Sequence, residues 1–323
     1  MSRHALAIVV FGASALAPLV VRDGFLLDSL VLILLWGAVS GAWNVAGGYA
    51  GQASLGHSAF FGIGAYSTAL IATRLNGSAW IAMAAGAAVA TLAGLVIGYL
   101  SNRLKGPYFG LATIAFSQVL LIVASRWRAF TAGSEGVPVP FRPGLWTLGF
   151  ASKVTWVYIM LALALGIYAA QIYLERSRLG YRLAGVREDE DAAQALGIPS
   201  RRLKVLAIAA SAALTSACGT LWAQYVGFVD PFYVFSVDLS VRFALNTIIG
   251  GIGTAMGPFV GSILITSLET SLRATFSDVR GGLVGIYLII YGCLLIIVVR
   301  FIPQGLVGWL GQRLHAARRY ARA

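Results

Sequence analysis

Charge is scarce in this 323-residue chain: Asp, Glu, Lys and Arg together make up 11% of it, while 59% is hydrophobic and the mean hydropathy is +0.81. Soluble domains average about 25% charged and about 45–50% apolar residues, so a water-soluble fold is excluded. Acid is the scarcer sign, with 12 residues against 24 basic ones and a formal net charge of +12. In a chain this apolar, the basic excess marks loops facing one side of a membrane and anionic headgroups, not a nucleic-acid interface. Cysteine is nearly missing. Cys218 and Cys293 lie in separate apolar runs with no second ligand-type residue at metal spacing, and read as small buried side chains. The three histidines, His4, His57 and His315, are isolated from one another. There is no phosphate-cradling glycine loop, no HExxH, no GxSxG in a strand-turn-helix setting and no paired carboxylate outside one polar island. An enzyme, a metal site and a bound cofactor are therefore not expected, which leaves transport, signalling or scaffolding.

What the chain does have is apolar length. Crossing about 30 Å of hydrocarbon takes about 20 helical residues, and ten runs approach that length: 4–21, 25–46, one ending near Thr73, 79–100, 107–125, 155–174, 205–226, 235–253, 256–274 and 283–302. The first follows a single Arg3 and is succeeded within a few residues by the second, so it reads as an uncleaved span. The expected fold is an all-α polytopic membrane protein of about ten transmembrane helices. It forms one transmembrane domain over 1–323, with a polar island at 175–204 and a basic tail at 303–323. With the N-terminus inside, fifteen basic residues fall on the inner side, eight on the outer side and Arg242 within a span. That excess predicts that the island and both termini are cytoplasmic.

The island reads ERSRLGYRLAGVREDEDAAQALGIPSRRLK and holds seven of the 24 basic and five of the 12 acidic residues. Glu188, Asp189, Glu190 and Asp191 put negative charge on the first turn of a short helix. Ala192, Ala193 and Leu196 continue it, and Gly197 with Pro199 stops it. Ala192, Ala193 and Leu196 are expected to share one face, a shallow apolar patch beside an acidic end that suits a socket on another protein.

Polar residues also interrupt the spans. The segment GGYAGQASLGHSAFFGIG at 47–64 carries Gln52, Ser54 and His57 between Gly51 and Gly56. It reads either as a broken helix lining a path or as a tight interhelical turn whose small residues serve packing alone. A second glycine-rich string, GGIGTAMG at 250–257, ends an apolar run in the other half of the chain. Paired interruptions of this kind mark transporters with discontinuous helices at a central site. Between them, the segment 126–153 reads as an outer loop from its glycines and prolines. Asp238, Arg242 and Asn246 are spaced four apart on one helical face, where Asp238 can pair with Arg242, and Glu269 lies in the next run. The cluster is either an ion pair locking two helices or a substrate contact.

The string at 47–64, TAGSEGVP after the fifth run, the island with the span following it, and IIGGIGTAMGPFVGSILI form an ordered set of blocks. Together they resemble the permease subunit of branched-chain (hydrophobic) amino acid ABC importers, the LivM type, over about 39–303. The resemblance implies that the island is a cytoplasmic coupling loop docking on an ATP-binding subunit. Asp191, Ala192 and Ala193, with Gly197 four residues on, are similar to the EAA-x-x-x-G element of importer permeases, Asp keeping the charge of the usual Glu. Glu188, Asp189 and Leu196 flank that element. The partners implied are a second permease of LivH type, two ATP-binding subunits that hydrolyse the ATP, and an extracytoplasmic substrate-binding protein, all at the bacterial inner membrane. Translocation would be by alternating access, with Gly51, Gln52, Ser54, Gly56 and His57 at the path. Relatives of this type carry branched-chain amino acids most often, but also urea and small aromatic or carboxylic compounds. The competing expectation is an ion-coupled secondary transporter that uses Asp238, Arg242 and Glu269.

Overall fold

The computed structural model describes residues 3–100, 104, 106–276, 292 and 305–308. Its helices are α1 (Arg3–Val20), α2 (Gly24–Asn44), α3 (Ser58–Arg74), α4 (Ala79–Leu100), α5 (Pro107–Arg126), α6 (Arg128–Thr131) and α7 (Lys153–Arg176). They are followed by α8 (Arg178–Glu188), α9 (Glu190–Ala195), α10 (Ser200–Val226), α11 (Pro231–Val234), α12 (Val237–Gly251) and α13 (Gly257–Phe276). Two short strands, β1 (Val137–Pro138) and β2 (Phe228–Val229), pair antiparallel. Local chemistry sets several of the boundaries. Asp23 accepts a hydrogen bond from the Phe25 amide at 2.8 Å to start α2, and Pro107 stands in the first turn of α5, where its missing N–H costs nothing.

The exposure pattern of α4 is that of a helix in lipid. Leu92, Val96 and Tyr99 point outward, while Ala82, Gly86, Ala90, Gly94 and Gly98 line the buried face. Lipid is as apolar as leucine, so helices associate there through small residues that let backbones close in. A Cβ added at Gly94 would stand 3.0 Å from the Ala212 Cβ of α10, and at Gly64 or Gly219 it would meet the backbone of α10 or α3 itself. These contacts seat α3 and α4 on α10, while α2 packs against α7, α10, α12 and α13. Among the described spans α10 and α2 are the innermost, with 67% and 61% of their apolar stretches buried against 28% for α5.

Nine of the ten expected runs coincide with helices. Six of those helices are long and apolar enough to cross a membrane, with α12 counted from Pro231, and a shorter apolar helix covers 5–20. The run 283–302, with Cys293, and the tail 303–323 apart from 305–308 lie outside the described residues. The island is shorter as a loop than the sequence implies. α7 runs through Arg176 and α10 starts at Ser200, so the polar stretch contributes helix at both ends. The segment 126–153 is an ordered cap and not a plain loop: it holds α6, a 3-10 turn at Gly133–Glu135, and β1 paired with β2 beyond α10.

Candidate coupling and translocation site

Two helices, not one, occupy the island. Ser177 caps α8 by accepting from the Gly180 amide at 3.1 Å, and Asp189 caps α9 by accepting from the Asp191 and Ala192 amides at 3.0 Å each. Glu188 thus ends α8, where it meets the neighbouring Arg187 at 2.7 Å, and does not belong to the first turn of α9. Gly197 closes α9 with a left-handed backbone at φ +80°, the reason for glycine there. The expected three-residue patch is divided. Ala193 is buried in a small core with Ala50, Leu183, Val186, Leu203 and Ala207, whereas Ala192 is exposed and Leu196 is 82% exposed. Six residues of helix make less than two turns, and one face of them is needed to hold α9 onto the chain's own body. The outward surface is therefore Asp191, Ala192, Gln194, Ala195 and Leu196. Inside, Lys204 of α10 pairs with Glu190 at 2.6 Å, with both side chains mostly buried.

The two glycine strings are both breaks in helix, and they meet. α2 loosens into a π-helical turn at Val45–Tyr49 and the chain then runs without helix to His57; α12 ends at Gly251, and α13 starts only at Gly257. Asn44 joins them: its Nδ2 donates to the Gln171 Oε1 at 2.7 Å and to the Thr254 carbonyl at 3.1 Å, and its Oδ1 accepts from the Gly253 amide at 2.9 Å. Gly48 allows the approach, since a Cβ there would run into the Asn44 side chain and stand 2.7 Å from the Gly253 nitrogen.

The island grips this junction with two residues. Glu175, at the end of α7, accepts from the Tyr49 hydroxyl at 2.8 Å and from the Ala255 amide at 3.0 Å, one partner beside each break. Arg187, at the end of α8, donates to the Gly48 carbonyl at 3.0 Å, and its side chain lies across Gly51 and Gly253. Neither residue stands out in the sequence. Arg187 is one of seven basic residues in the island; the signal for Glu175 is a carboxylate closing an apolar span, a placement that needs a partner.

Of the residues expected at a path, Gly51 and Gln52 line a cavity of about 330 Å³ shared with Phe109, Arg187, Asp191 and Lys204. Ser54 and His57 are buried instead within the bundle. The Ser54 carbonyl accepts from the Trp43 indole at 2.7 Å, and the Ser54 hydroxyl accepts from the Gly56 amide at 3.4 Å. His57 Nε2 stands 2.7 Å from the Ser211 hydroxyl, which itself donates to the Ala42 carbonyl at 2.7 Å. Because the only Ser211 proton is spent on Ala42, Nε2 carries the proton in this pair and donates it to Ser211. His57 therefore pins the end of the break to α10 and α2.

From the junction a polar seam follows α2 toward the opposite end. Asn246 donates to the Ser40 hydroxyl at 3.1 Å and Thr247 to the Ser40 carbonyl at 3.0 Å. One turn further, Arg242 does not pair with Asp238, contrary to the expectation from spacing. Its guanidinium crosses to Glu269 of α13 at 2.6 Å and lies over the Trp36 ring at 4.8 Å, while Asp238 is exposed in the first turn of α12. A partly buried guanidinium gains more from an ion pair and an aromatic face within the protein than from a carboxylate in solvent. Arg242 and Glu269 open on a cavity of about 660 Å³ walled by α2, α10, α11, α12 and α13. Among the described residues no group of three His, Cys, Asp or Glu could hold a metal ion.

The chain matches the family model for the permease component of branched-chain amino acid transport systems over residues 25–299. It is 26% identical to the high-affinity branched-chain amino acid transport system permease protein LivM of Escherichia coli K12 over 314 residues, 90% of this chain and 71% of that one. Against LivM of Salmonella typhimurium it is 26% identical over 288 residues, 82% of this chain and 65% of the relative. Against LivH of Escherichia coli K12 it is 25% identical over 276 residues, 81% of this chain and 87% of the relative. The chain thus spans about two thirds of the length of the LivM proteins. No solved structure matches it.

Proposed function

This chain belongs to the family of permease components of branched-chain amino acid transport systems, and we propose on that basis that it is the membrane-spanning permease subunit of an ATP-driven importer. The cargo is a branched-chain or other hydrophobic amino acid. Its assembly comprises a companion permease of LivH type, two ATP-binding subunits that hydrolyse the ATP, and an extracytoplasmic binding protein. It lies in the bacterial inner membrane with about ten spans, and the island and both termini face the cytoplasm. The whole chain acts as a single transmembrane domain.

The observation that carries this reading is the grip of the island on both helix breaks. A push on the exposed face of α9, Asp191 to Leu196, passes through α8 to Arg187, and through the α7 end to Glu175. Both residues hold backbone groups of the two breaks. Breaks are where a span can bend, so a movement of the island when the ATP-binding subunits close is converted into a change of the path. Gly51 and Gln52 stand at the cavity beside the island, and Ser54, Gly56 and His57 anchor the far side of the first break. Nothing observed favours an ion-coupled carrier.

Gentle purification from native membranes followed by mass spectrometry is the test. Recovery of two ATP-binding subunits and a second permease supports the assembly. A chain that purifies alone and still supports uptake driven by an ion gradient overturns it.

A further inference from the structure

The cavity at the end of the bundle away from the island is more than a gap between helices. It follows α2 from Phe25 to Trp36, roughly 17 Å at about 1.5 Å per residue, so it reaches from the bundle end to its middle. Its charged lining is balanced: Asp28 and Glu269 against Arg242 and Arg273. Its other walls include Trp36, Trp222 and Tyr233, the last two stacked at 5.3 Å. At about 660 Å³ it falls within the range of small-molecule clefts, about 300–1,000 Å³.

The charges differ in how far they are committed. Asp28 has both oxygens occupied, by Lys153 and by the Tyr225 hydroxyl, each at 2.5 Å. Arg242 makes one short contact to Glu269, at 2.6 Å, while its Nη1 is 3.5 Å from the second oxygen. Its Nε is buried with no acceptor, and Arg273 makes no ion pair, among the described residues. Donors are therefore in excess beside a carboxylate that has room for one more donor.

We propose that this cavity binds a small zwitterion with an apolar side chain, a free α-amino acid, its carboxylate on Arg242 and Arg273 and its ammonium on Glu269. A lone anion can take Arg273 but adds net negative charge beside Glu269, and a lone cation can take Glu269 but adds net positive charge beside Arg242 and Arg273. Either unbalances a partly buried site whose charges otherwise cancel, which is costly. A ligand carrying both charges gives Arg273 an acceptor and Glu269 a further donor and leaves the balance unchanged. The aromatic walls receive the apolar side chain. The proposal rests on the importer reading for its choice of amino acid and deepens it by placing a solute site in this chain. Phosphoethanolamine headgroups share the two-charge chemistry, and the test separates the two sources.

The test is a titration of the purified full-length chain with L-leucine, read by intrinsic tryptophan emission, since Trp36 and Trp222 line the cavity. The expected result is a saturable change. Isovalerate and isoamylamine, which keep one charge each, need at least about tenfold higher concentration, as does leucine against Arg242→Gln or Glu269→Gln. Thr270→Phe fills the cavity without touching the ion pair, keeps the question open should those variants fail to insert, and abolishes the response. The proposal is overturned by an equal response to isovalerate, by an unchanged response in Thr270→Phe, or by glycerophosphoethanolamine saturating below leucine. A chain that binds leucine in this way yet purifies without ATP-binding subunits supports the site and removes the importer reading. An assembled, leucine-transporting complex in which the chain gives no response does the reverse.

Discussion

The two ends of the bundle use their charges differently. At the island end, beside the side-chain pairs Arg187–Glu188 and Lys204–Glu190, Glu175 and Arg187 reach the helix breaks by bonding to main-chain groups: the Ala255 amide and the Gly48 carbonyl. At the other end, Asp28 meets Lys153 and Arg242 meets Glu269, side chain to side chain around an open cavity. A bond to the backbone fixes where the chain itself goes, and it moves only if the chain moves. A pair of side chains can exchange partners by turning a few χ angles. The first arrangement suits the transmission of a displacement, and the second suits a place where a solute comes and goes.

The difference between the two ends is most vulnerable at Gly48. A Cβ there has no room beside Asn44 and the Gly253 amide, so Gly48→Val must push the two breaks apart. Overpacking typically costs about 1–3 kcal/mol, and here the displaced groups are the main chain of the junction. Loss of uptake and a lowered melting temperature of the purified chain are expected. Retention of both means that the breaks are not held in register by this contact.

Next in size are Arg187→Ala and Glu175→Gln. Each removes charge-assisted hydrogen bonds worth about 1.5–3 kcal/mol, but leaves α9 and its exposed face in place. We expect uptake to fall by about tenfold or more while ATP-binding subunits still co-purify. ATP hydrolysis continues without transport. Uptake lost together with co-purification would mean that the two residues serve docking and not transmission.

A sharper separation comes from α9 itself. Leu196→Arg changes an exposed residue and should abolish co-purification of the ATP-binding subunits with the melting temperature unchanged. Ala193→Arg, which forces a long cation into the core around Leu183 and Val186, should lower the melting temperature as well. Equal effects of the two on stability would show that α9 does not lie as described.

How much of this was readable beforehand differs between levels. The apolar runs were legible because a span must be long, apolar and internally hydrogen-bonded, and nine of them are helices. The stop of α9 was legible from Gly197, since caps act within one turn, whereas its acidic start was legible only as the group 188–191, with neither the Asp189 cap nor the division into α8 and α9. Contacts across the chain were not. The partner of Arg242 is 27 residues away on another helix, whereas its sequence neighbour Asp238 had the spacing without the burial. Arg187 reaches Gly48, 139 residues distant, and no periodicity encodes that. The echo between the glycine strings was the one long-range feature open to inspection, because each break requires glycine locally: Gly51 and Gly253 have φ of +68° and +70°.

The smallest effect is expected at the rim of the open end. Lys153 and Asp28 are 45% and 38% exposed, and exposed ion pairs contribute about 0–1 kcal/mol because water and salt screen them. Asp28 also keeps its bond to Tyr225 when the lysine is gone. Lys153→Ala should therefore shift the stability of the purified chain by less than about 1 kcal/mol, with uptake close to normal, in contrast to the loss at Arg187. Thermal unfolding in detergent at low and high salt decides the matter. If Lys153→Ala instead costs several kcal/mol at either ionic strength, the rim is as rigidly held as the island junction, and the division of labour between the two ends fails.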